Sequence, residues 1–196
     1  MEMVLLTAVG VGGATVIGAI IGFCFKKLSH RLADIVMSFA AGVMLAAAVI
    51  GLVLPSIEYG GKYGLIITIV GIFVGALCLN LIDKLVPHLH RLAEQDDEKH
   101  PDTRNLSKVL LFVAAIAIHN LPEGIAAGVG FGGGDVERGM VIALGIALQN
   151  VPEGMIIIGP MLSAGIKPAR TFLIAAFTGL VEVAGTLIGY FSVSAA

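Results

Sequence analysis

Residues 109–130 read VLLFVAAIAIHNLPEGIAAGVG, a run long and apolar enough to cross a bilayer. A spanning helix needs about 20 mostly apolar residues. Yet His119, Pro122 and Glu123 interrupt this run near its middle. An ionised side chain at mid-bilayer costs at least about 2.5–3.5 kcal/mol on insertion scales, so such residues normally face a protein interior or a water-filled path. The segment therefore predicts a transmembrane helix with a polar face.

The composition of the whole chain indicates a polytopic membrane protein. Of its 196 residues, 57% are hydrophobic and 13% are charged, whereas soluble domains carry about a quarter charged residues. The formal net charge of -2 creates no field suited to nucleic acid. Cys24 and Cys78 lie apart in apolar runs and form no CxxC pair, which argues against a disulfide framework or a zinc ribbon.

Five further segments match the first in length and apolar character. We predict an all-α polytopic membrane helix bundle, a single transmembrane domain over residues 1–196. Its six transmembrane helices are expected at 4–25, 32–54, 64–86, 109–130, 139–162 and 171–193. Residues 87–108 are polar and charged and form the one long loop.

Lysine and arginine are distributed unevenly between the two sides of this arrangement. With the N-terminus outside, ten of them fall in inner loops and two, Lys62 and Arg138, in outer loops. Because cytoplasmic loops retain positive charge, we predict an N-out, C-out protein whose loop 87–108 is cytoplasmic. The N-terminus lacks the basic start of a secretory signal, so we expect the first helix to be retained.

The fourth and fifth predicted spans carry related hexads, HNLPEG and QNVPEG, on consecutive helices that must run antiparallel. Residues four apart share a helix face. His119 therefore aligns with Glu123, and Gln149 aligns with Glu153. If these faces meet, an imidazole, an amide and two carboxylates converge near the membrane centre.

Each hexad also places a proline inside its helix. Pro122 cannot donate a hydrogen bond to the carbonyl of Ile118, and Pro152 cannot donate to that of Leu148. We expect each ring to bend its helix and each freed carbonyl to add local space for a hydrated ion. Irregular backbone at this depth is tolerated where it lines a cavity.

Imidazole, carboxylate and amide oxygen together suit divalent transition metals such as zinc, iron or manganese. Calcium or magnesium would favour an all-oxygen set. A structural histidine, a proton relay or simple helix kinks are the plainer interpretations. The repeated x-N-x-P-E-G pattern favours the metal site over these. Protonation of a glutamate competes with metal binding, so proton coupling is compatible with these residues.

These residues resemble the signature of the ZIP (Zrt/Irt-like) family of divalent metal transporters, and its bacterial, GufA-like branch most closely. The likeness extends to SFAAGVMLAAAVIGLVLPSIE in the second span, to VPHLH at the start of the long loop and to Glu182 in the sixth span. The resemblance implies a multi-pass transporter of the inner membrane, not an enzyme. It would carry zinc, or else iron, manganese or cadmium, into the cytoplasm as its substrate, without a cofactor.

Carried over position by position, the resemblance implies two adjacent metal sites. The primary site would comprise His119, Glu123, Gln149 and Glu153, with Met44 of the second span as a soft thioether contact. The second site would comprise Asn120, Asn150 and Glu182, with Glu123 and Glu153 bridging the two. His88 and His90 match metal-binding histidines of the cytoplasmic loop, although the residues alone fit a solvated pair equally well.

Two departures from the family pattern bear on function. Asn150 stands where relatives of this branch often carry aspartate, so we expect a second site that binds metal weakly or a site for one metal only. The family has at least eight transmembrane helices, built as two inverted three-helix repeats around the fourth and fifth. We find six, so we expect a truncated form or one completed by a neighbour.

The expected mechanism is alternating access, with the first three helices and the sixth moving against the fourth and fifth. Two other functions stay open. An intramembrane metallohydrolase could use zinc to activate water, although the sequence has no HExxH. The second alternative is a metal sensor or a subunit that does not itself transport metal. The expected partners are divalent metal ions and the lipid bilayer, with no nucleic acid, and a homodimer stays open.

Overall fold

The computed structural model describes residues 2–25, 29–85 and 103–195. The elements follow in the order α1 (Glu2–Phe25), α2 (His30–Ala47), a π-helical segment (Ala48–Val53), α3 (Leu54–Tyr59), a 3₁₀ turn (Gly61–Tyr63), α4 (Gly64–Leu85), α5 (Thr103–Gly132), α6 (Val136–Ser163) and α7 (Pro168–Ser194). Six stretches of the described chain are long and apolar enough to cross a membrane. This confirms the predicted polytopic helix bundle.

Helix α5 begins earlier than predicted. Helix α5 begins at Thr103, so residues 103–108, which we expected in the loop, are helical. Hydropathy marks only the part of a helix that suits hydrocarbon, whereas backbone hydrogen bonds continue past it into polar sequence. The candidate histidines His88 and His90 lie outside the described residues.

Helices α6 and α7 also begin earlier than their apolar runs, for local reasons. Asp135 caps α6, because its side chain accepts a 3.0 Å hydrogen bond from the backbone N–H of Arg138. Pro168 opens α7, and proline suits a first turn because it has no N–H to leave unpaired.

The second span is one continuous passage made of α2, the π-helical segment and α3. It runs from Arg31 to Tyr59, beyond the predicted end at residue 54. The π-helical segment ends shortly before Pro55, which lies in the first turn of α3. Proline cannot complete an α-helical hydrogen bond, and a local π-helical register lets the chain continue past it.

Helix α1 packs on α6 by close backbone contact. A Cβ atom added at Gly18 would collide with the backbone of Val151, and one added at Gly22 would collide with Met155. Small residues let membrane helices approach in this way. Since both contacts advance by four residues along each helix, the two helices run parallel.

Helix α7 packs on α5 through the same pattern. Gly185 lies against the carbonyl of Leu121, and Gly189 lies against Ile125. The glycine spacing of α7 repeats that of α1, and the residues contacted in α5 stand 30 positions before their counterparts in α6. The two helix pairs are therefore structural repeats of each other.

The two repeats meet at Gly12 of α1 and Gly179 of α7. Each of these glycines lies against the carbonyl oxygen of the other. A contact in which equivalent residues touch each other is the signature of a two-fold relation. The core of the bundle is thus a four-helix unit, α1, α5, α6 and α7, with approximate two-fold symmetry.

Helices α2, α3 and α4 lie outside this unit. Ala47 packs on Gly145 of α6, and Gly51 packs on Ile142 of the same helix. Helix α4 meets α3, where the hydroxyls of Thr68 and Ser56 are 2.8 Å apart. Most of the remaining surface of α4 is apolar and exposed within the described chain, as suits a helix in contact with lipid.

The core is divided along its length into two apolar clusters. One contains Val4, Val11, Ala127, Phe131, Ile142, Ala143 and Ile146. The other contains Ala19, Val113, Ile157, Ile158, Met161 and Ala175. Between them lies a polar layer of side chains that are at most 1% exposed, namely Thr15, Asn120, Gln149, Asn150 and Glu182. Both hexads therefore lie midway along the bundle.

Candidate metal centre

Both hexads lie on unbroken helices. Helix α5 continues through Pro122, and α6 continues through Pro152. A proline inside a helix removes one hydrogen bond, and membrane helices tolerate this loss where neighbouring groups satisfy the freed backbone. The prolines therefore do not end the helices that position the candidate ligands.

The charged side chains of the two hexads lie in one region. Glu123 lies in the same region as Glu153 and Glu182. His119 lies in the same region as Glu153. The polar faces of α5 and α6 therefore approach each other.

Several polar atoms of this region are buried and have no hydrogen-bond partner in the described chain. They are one carboxylate oxygen each of Glu123 and Glu153, both polar atoms of the Gln149 amide and the amide oxygens of Asn120 and Asn150. A buried polar group without a partner is costly. Carboxylate and amide oxygens are donors that a divalent metal can use, so the group is chemically suited to a cation.

The imidazole of His119 is oriented by its own helix. Its Nδ1 lies 3.0 Å from the carbonyl oxygen of Ala115. Because a carbonyl only accepts, Nδ1 must carry the proton of this hydrogen bond. The lone pair of Nε2 is then free for a metal, and a hydrogen bond of this kind is the usual way in which a metal-binding histidine is fixed.

A second group surrounds Glu182, which is fully buried. Nδ2 of Asn150 donates to Oε1 of Glu182 at 2.6 Å and to the carbonyl oxygen of Val11 at 3.0 Å. The hydroxyl of Thr15 donates to Oε2 at 3.5 Å. This group joins α1, α6 and α7.

Thr15 was missed by sequence reasoning. It lies in the apolar run of α1, and a threonine there carries no charge to mark it. The available signal was its position beside the repeated glycines Gly12, Gly18 and Gly22, which identify the buried face of α1.

Asn120 does not join Glu182. Its Nδ2 donates instead to the carbonyl oxygen of Thr178 at 3.2 Å, and its Oδ1 is buried without a partner in the described chain. The bond from Asn120 to Thr178 is the counterpart of the bond from Asn150 to Val11 in the other repeat.

Met44, the predicted thioether contact, is 38% exposed. Within residues 2–25, 29–85 and 103–195, no three His, Cys, Asp or Glu side chains are close enough together to hold a metal ion. His119, Glu123 and Glu153 thus line one region without converging on one point.

Comparison with known proteins gives the same family that the motifs suggested. Residues 90–196 match the family model described as ZIP Zinc transporter. The chain is 35% identical to the zinc transporter ZIPB of Bordetella bronchiseptica, over 90% of this chain and 58% of that protein. It is 36% identical to the zinc transporter ZupT of Chlorobaculum parvum, over 92% of this chain and 71% of that protein.

A third relative belongs to the branch that the sequence indicated. The chain is 32% identical to the zinc transporter GufA of Myxococcus xanthus, over 93% of this chain and 73% of that protein. The chain spans less than two thirds of the Bordetella relative and rather more of the other two. With the family model covering more than half of its residues, the chain belongs to the ZIP zinc transporter family.

Proposed function

We propose that this protein carries zinc, or a similar divalent metal such as iron, manganese or cadmium, across the cell membrane into the cytoplasm. The metal would bind midway along the bundle, to His119, Glu123, Gln149 and Glu153. The observation that carries the proposal is the set of buried oxygens of Glu123, Gln149 and Glu153 that lack hydrogen-bond partners in the described chain.

The donor set supports a transported ion better than a permanently held one. Zinc is bound tightly by preformed sets of thiolate and imidazole ligands. Here the donors are one imidazole, one amide and two carboxylates that do not converge on a point. Small side-chain movements would complete the site, and protonation of either glutamate would weaken it.

The packing of the bundle indicates which helices would move together during transport. Separating α5 and α6 from the other helices would break the backbone contacts of Gly18 with Val151 and of Gly185 with Leu121. We therefore propose instead that the four-helix unit moves as one body against α2, α3 and α4. An exposed ion pair between Arg138 of α6 and Glu58 of α3, at 3.2 Å, is a weak contact that such a movement can break.

Zinc uptake into proteoliposomes tests the proposal. His119→Ala combined with Glu123→Ala should abolish uptake, whereas Glu137→Gln, which removes an exposed carboxylate at the start of α6, should leave it unchanged. Uptake by the double variant at the native rate would contradict the proposed site.

The same preparation separates the rival functions. Hydrolysis of a membrane substrate without zinc flux would favour a metallohydrolase, in which the metal activates water. Zinc binding with neither flux nor hydrolysis would favour a sensor or a subunit of a larger assembly. No residue of the polar layer is an evident general base beyond the candidate ligands.

A further inference from the structure

We propose that Asn150, Thr15 and Glu182 form a hydrogen-bonded clamp that closes the second metal position, so that the bundle holds one metal ion between its helices and not two. The proposal rests on the function proposed above, since it concerns the same polar layer. It predicts that Asn150 sets the number of metal ions bound.

Both oxygens of the Glu182 carboxylate already have donors. Oε1 accepts from Nδ2 of Asn150 at 2.6 Å, and Oε2 accepts from the hydroxyl of Thr15 at 3.5 Å. All three side chains are fully buried. The amide of Asn150 thus stands where a cation would otherwise compensate the buried carboxylate.

The orientation of the Asn150 amide follows from its neighbours. Nδ2 has two acceptors within hydrogen-bond distance, Oε1 of Glu182 and the carbonyl oxygen of Val11. Rotating the amide by half a turn would place Oδ1 against both, and an oxygen without a proton can donate to neither. The group that faces Glu182 is therefore an N–H donor, which has no lone pair to offer a metal on that side, whereas Oδ1 of Asn150 is buried without a hydrogen-bond partner in the described chain.

The charge of the clamp also argues against a second metal ion. Glu182 is its single carboxylate, and Asn150 and Thr15 are neutral. A metal at this position would have to displace two donors and would gain one negative ligand. Aspartate at position 150 would remove the donor and add a second carboxylate.

The clamp also explains why Thr15 lies opposite Glu182. The two residues occupy equivalent places in the two repeats: each follows by four residues a carbonyl that accepts from an asparagine, at Val11 for Asn150 and at Thr178 for Asn120. One repeat supplies a carboxylate and the other a hydroxyl. The pair closes the interface of α1 with α7.

The number of zinc ions per chain tests the clamp. The full chain, with His88→Ala and His90→Ala in every sample to remove loop binding, would be equilibrated with zinc in detergent and analysed by elemental mass spectrometry. We expect one zinc for the otherwise native chain, two for Asn150→Asp, and one again for Asn150→Asp combined with Glu182→Gln. Thr186→Val, which removes a buried hydroxyl bonded within its own helix, is the matched control and should also hold one.

Two zinc ions in the otherwise native chain would overturn the clamp, and so would one zinc in Asn150→Asp. Thermal unfolding with and without zinc shows whether each variant is folded. Zinc should raise the unfolding midpoint of Asn150→Asp more than it raises that of the otherwise native chain. An equal rise in the two would count against the proposal. The flux assay separates this failure from that of the proposed function. Two bound ions with normal zinc uptake would refute the clamp alone, whereas absent uptake would refute transport.

Discussion

The amides of the polar layer differ in what surrounds them. Those of Asn120 and Asn150 tie helices together, since each donates to a backbone carbonyl of a neighbouring helix. Gln149 is as deeply buried, yet its amide has no hydrogen-bond partner in the described chain. The N–H groups of Asn120 and Asn150 therefore stabilise the bundle, whereas the amide oxygens of all three residues have no hydrogen-bond partner in the described chain.

The role assigned to Thr15 can be tested by its effect on stability. Thr15→Val keeps the shape of the side chain but removes a donor to a buried carboxylate, which should cost about 1 kcal/mol. Thr186→Val removes a hydroxyl that bonds only the backbone of its own helix and should cost less. Thermal unfolding in detergent measures both. Equal losses would show that the hydroxyl of Thr15 has no particular partner.

At the scale of helices, glycine decides which elements are neighbours. Gly154 of α6 lies against the carbonyl of Thr15, and Gly124 of α5 lies against that of Glu182. These contacts bring each hexad against a helix of the core, α1 in one case and α7 in the other. Glycines Gly71 and Gly75 of α4, by contrast, have no atom within 4 Å of an added Cβ.

This difference predicts opposite outcomes for one kind of substitution. Gly154→Ala would push α1 from α6 and should cost about 1–3 kcal/mol or prevent folding, because a tightly packed interior does not accept an added methyl. Gly71→Ala should be neutral or slightly stabilising, since alanine favours a helix by about 0.5–1 kcal/mol over glycine. Size-exclusion profiles and unfolding midpoints would decide. If both variants behaved alike, the close contact of α1 with α6 would be wrong.

At the scale of the whole molecule, the sequence predicts the spans well because hydrophobicity is a local property. It predicts their ends less well, since α5 and α6 continue into polar sequence through capping and ordinary helical bonding. The repeat of glycines in α1 and α7 is present in the sequence. The structural role of these glycines depends on which helices are neighbours, and the order of the helices along the chain does not determine their neighbours.

The candidate site, too, was predictable from the residues within a helix but not between helices. The hexads predicted that His119 shares a helix face with Glu123, and Gln149 with Glu153, because a helix fixes the spacing of its faces. Thr15, on α1, was not predicted from the residues, whereas the resemblance placed Glu182 beside Asn150, to which it is hydrogen-bonded.

The predicted orientation of the molecule in the membrane, with both termini outside, can be tested separately. In a chain with Cys24→Ala and Cys78→Ala, the variants Lys62→Cys and Lys167→Cys place single thiols at exposed positions on opposite ends of the bundle. A maleimide that cannot cross membranes should label position 62 in intact cells, and position 167 only after permeabilisation, because the basic loops are cytoplasmic. The reverse pattern would overturn the N-out arrangement.

The central claim is that the two hexads form one metal site across α5 and α6. A double-mutant cycle on zinc binding, measured by calorimetry with Glu123→Gln, Glu153→Gln and the combined variant, tests it most directly. If both carboxylates bind one ion, each single change should weaken binding by about tenfold, or about 1.4 kcal/mol, and the double change by much less than the product. Losses that simply multiply, or an affinity that neither change affects, would contradict a shared site.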